Sequence, residues 1–212
     1  MNAPKIQCLT MDHSPLSHGE QIAALCAAGA EWIQLRMKTA SDAEVTAVAE
    51  AALPLCRQHG CRLILNDRIE VALAIGADGV HLGKDDLSWT IARERAGDRL
   101  LIGGTVNSAA DARAAVDCAA LDYVGVGPFR FTQTKQKLAP VLSAEQWREI
   151  LDILRPLPAY AIGGITAADI PSLAPLGLSG IAVSGALYQG GDVAANYQAL
   201  LTAFASTDAK AP

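Results

Sequence analysis

AGAEWIQLR (28–36), GADGVHLG (76–83), ALDYVGVG (120–127) and GLSGIAVSG (177–185) repeat one pattern: a turn of small residues, a polar residue, then a short apolar strand. A helix-like, alanine-rich segment precedes each copy, and that alternation marks βα units around a parallel sheet. Working outward gives eight strands: IQCLT (6–10), WIQLR (32–36), RLILN (62–66), GVHLG (79–83), LLIGG (100–104), YVGVG (123–127), AYAIG (159–163) and GIAVS (180–184). Helical segments fill the gaps. Several open on capping-box spacing, as in Ser17 with Glu20, Ser41 with Glu44 and Ser143 with Gln146. Eight units imply a single α/β domain over 1–212, a closed (β/α)8 TIM barrel without large insertions, with 1–4 and 206–212 as loose ends. An open doubly wound sheet is the alternative. It is weakened because no strand runs into the Gly-x-Gly-x-x-Gly turn of a dinucleotide fold.

Composition agrees with one domain, since 212 residues at 51% hydrophobic can bury a sizeable core. No uninterrupted run of about 18 apolar residues appears, and MNAPKIQ lacks the basic and apolar regions of a secretory leader. A cytoplasmic protein without a membrane span is expected. The net charge of −5 and the lack of a Lys/Arg cluster argue against nucleic acid. Cys8, Cys26, Cys56, Cys61 and Cys118 are odd in number and without metal-ligand spacing. They read as small buried side chains, with neither a disulfide framework nor a zinc site indicated. Barrels of this size often form homo-oligomers, although no feature here marks an interface.

WIQLRMK (32–38) carries Gln34, Arg36 and Lys38 on one face and Ile33, Leu35 and Met37 on the other, because strand side chains alternate. In a barrel the apolar face must meet the surrounding helices, so the polar three point inward or out of the mouth. Active sites in this fold lie at the C-terminal ends of the strands, where the two cations fall. Such a pair needs an anion or carboxylate beside it. A substrate site and an interior salt-bridge network both satisfy that need.

LILNDR (63–68) ends the third strand with Asn66 and Asp67, and GVHLGKDD (79–86) follows the fourth with Asp85 and Asp86. Neighbouring strands let Asp67 and Asp86 converge beside Lys38. Two carboxylates with room for waters and phosphate oxygens suit Mg²⁺. Taken singly, Asp67 reads as a helix cap and Asp86 as a surface turn residue. The loop GPFRFTQTKQK (127–137) brings Thr132, Thr134 and Lys135, two hydroxyls and an ammonium suited to phosphate. AIGGI (161–165) and AVSGAL (182–187) put glycines after strands seven and eight, where barrels often bind phosphate through backbone N–H groups; simple tight turns are the alternative. His81, between Val80 and Leu82, reads as a satisfied interior residue. With no nucleophile elbow and no cysteine placed for attack, metal-assisted departure of a phosphate-type leaving group is the best reaction class.

Through QLRMK (34–38), LILNDR, GADGVHLGKDD, YVGVGPF with TQTK, AIGGI and AVSGAL, nearly the whole chain resembles the thiamine-phosphate synthase family. That family condenses a hydroxymethylpyrimidine diphosphate with a thiazole phosphate carboxylate and releases pyrophosphate. The resemblance implies that Gln34, Arg36, Lys38, Asn66, Thr105 and Lys135 contact the pyrimidine diphosphate, with Lys38, Asn66, Thr105 and Lys135 catalytic. It implies further that Asp67 and Asp86 hold Mg²⁺, and that Thr132, Thr134, Gly164, Val183 and Ser184 bind the thiazole phosphate. Leu35, Met37 and Gln133 complete the implied substrate-contacting runs. Three departures stand out: Thr105 where the family has serine, Asn107 where it has histidine, and Arg130-Phe131 where an apolar-Pro pattern is usual. A thiazole tautomerase and a non-catalytic phosphate-binding barrel are the competing readings, the first calling for a positioned acid/base and the second for binding without turnover.

Overall fold

A computed structural model describes residues 4–131 and 139–208. Among them the strands are β1 (Ile6–Leu9), β2 (Trp32–Leu35), β3 (Arg62–Asn66), β4 (Gly79–Leu82), β5 (Leu101–Val106), β6 (Tyr123–Val126), β7 (Ala159–Ile162) and β8 (Gly180–Val183). The helices are α1 (His18–Ala27), α2 (Asp42–Gln58), α3 (Ile69–Ile75), α4 (Trp89–Ala96), α5 (Ala109–Asp117), α6 (Ala144–Ile153), α7 (Ile170–Leu173), α8 (Gly185–Tyr188) and α9 (Val193–Asp208). Each strand pairs in parallel with the next, and β8 returns to β1 through Ile6 opposite Ile181, closing the barrel. The expected (β/α)8 architecture is therefore the one observed.

Local sequence explains where the helices begin. Ser17, Ser41 and Ser143 each cap a helix, and their backbone N–H groups donate in return to the side-chain oxygens of Glu20, Glu44 and Gln146, giving complete capping boxes on α1, α2 and α6. Most strands stop one residue before the expected end, because that residue already turns into the loop. β5 instead runs through Gly103 and Gly104 to Val106. Gly103 belongs inside that strand for steric reasons: a Cβ there would lie 2.2 Å from Tyr123 Cζ and 2.6 Å from His81 Nδ1. Residues 206–208, expected as part of a loose end, instead form the last turn of α9.

The core has two layers. Outside the barrel, Ile33, Leu35, Leu63, Leu65, Val80, Leu82, Ile102, Val124 and Val126 are buried against the helices. Full burial of such side chains stabilises the fold by roughly 1.5–3 kcal/mol apiece. Inside, Trp32, Ile64, Tyr123 and Tyr160 plug the N-terminal half, the rings of Trp32 meeting those of Tyr123 and Tyr160 edge-on at 4.7 and 4.9 Å. Above this plug the interior becomes polar. No helix among the described residues is long and apolar enough to cross a membrane.

Candidate active site

A polar chain crosses the barrel above the aromatic plug. Gln34 Nε2 donates to Gln7 Oε1 (3.3 Å), and Gln7 Nε2 donates to the Tyr123 hydroxyl (3.0 Å). The His81 ring then joins Tyr123 (3.2 Å) to the Thr105 hydroxyl (3.1 Å). Burial is what makes these bonds necessary, since an unpaired amide or imidazole here would cost roughly 1–3 kcal/mol. His81 is thus a satisfied interior residue, and its ring also lines the floor of the cavity above.

That cavity opens at the C-terminal ends of the strands. Gln34, Arg36, Lys38, Asn66, Asp67 and Thr105 line one side, and Gly163, Gly164, Val183, Ser184 and Gly185 line the other. Leu35 and Met37, expected among the substrate contacts, do not line it. Leu35 is buried in the outer layer and Met37 packs against the same layer, as alternation along the strand demands. Thr132, Gln133, Thr134 and Lys135 lie outside the described residues.

The charged side is held by a tight set of contacts. Lys38 Nζ and Asp67 Oδ2 are 2.5 Å apart. The Asp67 backbone is left-handed (φ 66°), and its N–H donates to the His81 carbonyl at 2.9 Å. This conformation costs a non-glycine residue free energy, least for Asp and Asn, and it turns the carboxylate back over the mouth. Asp86 stands behind, accepting from the Gly83 N–H (2.7 Å) and hydrogen-bonding to Asp67. Burial and the neighbouring Asp67 charge raise the Asp86 carboxyl above its ordinary range. Burial acts upward on Asp67 too, but bonds from Lys38 and Asp86 outweigh it and hold that group low. Two carboxylates in contact need a proton or a cation between them, so this donor set fits a hard divalent ion such as Mg²⁺. Burial depresses Arg36, while Asp12 and Asp67 pull it back toward the charged form.

Asp12 was not foreseen, nor were Thr10 and His18 beside it. It accepts from the Lys38 N–H (3.4 Å) and meets His18 Nε2 (3.2 Å). Thr10 contacts His18 Nδ1 (2.8 Å) and accepts from the Arg36 N–H (2.9 Å). The available signal was position alone, just past the first strand, where a β1 residue faces the cations of β2.

The opposite side is built from backbone. Gly163 (φ 114°) and Gly164 (φ 64°) make the turn after β7. A Cβ on Gly163 would come within 2.8 Å of both Phe129 N and Pro128 Cα, so only glycine lets the β6 loop close on β7. Ser184 Oγ is buried with no hydrogen-bond partner among the described residues, an orphan that an anion or alcohol in the cavity would satisfy. Of the departures, Asn107 gives its amide N–H to the Gly127 carbonyl (2.6 Å). Arg130 lies back across the turn, donating to the Gly164 carbonyl (3.0 Å) and pairing with Asp169 (2.5 Å).

A profile of the family described as thiamine monophosphate synthase matches residues 8–187. The thiamine-phosphate synthase of Bacteroides fragilis is 44% identical over 191 residues, covering 88% of this chain and 93% of that protein. Its counterpart from Bacteroides thetaiotaomicron is 41% identical over 200 residues, 92% of this chain and 95% of that one. Among solved structures, thiamine phosphate pyrophosphorylase from Pyrococcus furiosus superposes with a TM-score of 0.86 at 30% identity, over 97% of this chain and 98% of its own.

Proposed function

The chain belongs to the thiamine monophosphate synthase family, transferases of thiamine biosynthesis, and from that premise we propose how its barrel mouth works. It joins 4-amino-2-methyl-5-hydroxymethylpyrimidine diphosphate to thiazole phosphate, or to the thiazole phosphate carboxylate, and releases pyrophosphate. The observation that carries this reading is the Asp67–Asp86 pair set directly beside Lys38 and Arg36.

Asp67 and Asp86 would hold Mg²⁺. When bound, the ion neutralises charge on the diphosphate and so favours its departure. Lys38 and Arg36 place fixed positive charge where the leaving group gains negative charge, in a partly buried site where that charge counts for more than in water. Thr105, fixed by His81, presents its hydroxyl to the diphosphate, and Asn66 orients the aminopyrimidine or a phosphate. The carbon–oxygen bond to the diphosphate breaks and the thiazole nitrogen forms the new carbon–nitrogen bond; no side chain need carry a proton. Gly164, Val183 and Ser184 receive the thiazole phosphate, whose oxygens would satisfy Ser184 Oγ. Thr132, Gln133, Thr134 and Lys135 are assigned to the substrates on the family resemblance. Free buried thiols are at home in a reducing cytoplasm, which is where we place the protein.

The test is to incubate the chain with both substrates, with and without Mg²⁺, and to oxidise the product to fluorescent thiochrome. Magnesium-dependent fluorescence is expected. A folded chain that gives none, under either condition, would refute the assignment.

A further inference from the structure

Three thiols meet at the end of the barrel opposite the mouth. Cys26 lies in the last turn of α1, Cys56 in the last turn of α2, and Cys61 just before β3. Their Sγ atoms lie within 4.8 Å of one another, with Cys26 and Cys56 3.9 Å apart, and all three residues are buried. The sequence offered no metal-ligand spacing, and folding supplies the grouping instead. We propose that Cys26, Cys56 and Cys61 form a binding site for a divalent thiophilic cation of the zinc and cadmium class.

Backbone geometry brings the sulfurs together. Both helices end in the same glycine motif. After α1, Gly29 (φ 86°) lets the Ala30 N–H reach the Leu25 carbonyl at 2.9 Å. After α2, Gly60 (φ 66°) lets the Cys61 N–H reach the Cys56 carbonyl at 2.8 Å. That six-residue closure folds Cys61 back onto Cys56 and makes a Cys-x-x-x-x-Cys spacing a local pair. The packing of α1 against α2 brings in the third sulfur.

The distances suit the ion. A zinc–sulfur bond of about 2.3 Å places ligand sulfurs roughly 3.8–4.0 Å apart, the separation already present between Cys26 and Cys56. Soft thiolates select soft or borderline cations over the Mg²⁺ favoured at the mouth, so the two sites do not compete for one ion. Charge selects the valence. Three thiolates around a divalent ion leave one negative charge, whereas a monovalent ion would leave two, a larger cost in a buried place. On binding, each ligating thiol gives its proton to solvent and the sulfur lone pair goes to the metal. The bound ion would tie α1, α2 and the start of β3 together and stabilise the folded chain by mass action.

Reduced, metal-stripped full-length protein titrated with Cd²⁺ tests this. The readout is thiolate-to-cadmium charge-transfer absorption, expected to saturate at one equivalent per chain. Cys26→Ala and Cys61→Ala should each abolish the band, while Cys8→Ala and Cys118→Ala keep it. Cadmium NMR of the unmutated protein needs no variant and reports sulfur ligation from the chemical shift. Absence of a band in the unmutated chain, a band surviving in both Cys26→Ala and Cys61→Ala, or a cadmium signal without sulfur ligands would overturn the proposal.

Discussion

Asp67 combines a strained backbone, an ion pair with Lys38 and a hydrogen bond to Asp86. Asparagine tolerates the same left-handed conformation and occupies the same volume, so Asp67→Asn removes charge with little change in shape. Product formation should fall about 100-fold or more, the scale of losing one preorganised charge partner, while circular dichroism and the melting temperature stay close to those of the parent. Near-parental turnover would remove Asp67 from the mechanism. His18 offers a second check. Its pKa is lowered from 6.5, chiefly by burial, with Asp12 acting the other way. The unfolded chain therefore binds the proton first, and stability falls as the pH drops from 6.5 toward the folded value and levels off below it. His18→Gln should flatten that portion of the melting-temperature profile relative to the parent, and an unchanged slope would assign the acid sensitivity to other groups.

At the scale of elements, caps and turns carry separate jobs. Ser41→Ala deletes one half of the α2 capping box and should cost about 1 kcal/mol, lowering the melting point by roughly 2–4 °C without changing turnover, because α2 starts outside the cavity. Gly163→Ala behaves differently. Its Cβ would collide with Phe129 N and Pro128 Cα in a backbone region that L-residues avoid, so the loop after β6 must move. Loss of thiazole phosphate affinity, read as a raised KM, is expected together with a lower melting point; a parental KM would show that the loop tolerates the shift. These elements were largely legible in the sequence, because capping serines and period-two apolar runs are local signals. The run LLIGG reads as a strand with Gly103 and Gly104 inside it, but why glycine stands there is visible only in the fold: a Cβ on Gly103 would meet Tyr123 and His81, and one on Gly104 would meet Leu121 and Trp89.

At the scale of the whole molecule, legibility stops where contacts are made by closure. Gln34, Arg36 and Lys38 could be placed at the mouth because alternation and strand polarity fix their direction. Asp12 could not, since its role depends on β1 lying beside β2, with Leu9 opposite Gln34. The three thiols are hidden for the same reason: two come from different helices and the third from a strand entrance. The mouth as a unit makes its own prediction. Chelating divalent ions should abolish synthesis, and Mg²⁺ but not K⁺ should restore it; full turnover in excess chelator would mean that Asp67 and Asp86 act without an ion.

The pairing of β1 with β8 also sets a limit on synthesis of the chain. Ile6 finds Ile181 only after residues 7–180 between them have been made, so the nascent sheet must wait on the ribosome with both edges unpaired. Open strand edges are templates for pairing with other chains. Until its final strand emerges, this protein is a sticky, half-built sheet, and its need for chaperones should be greatest during translation and small once the ring has closed.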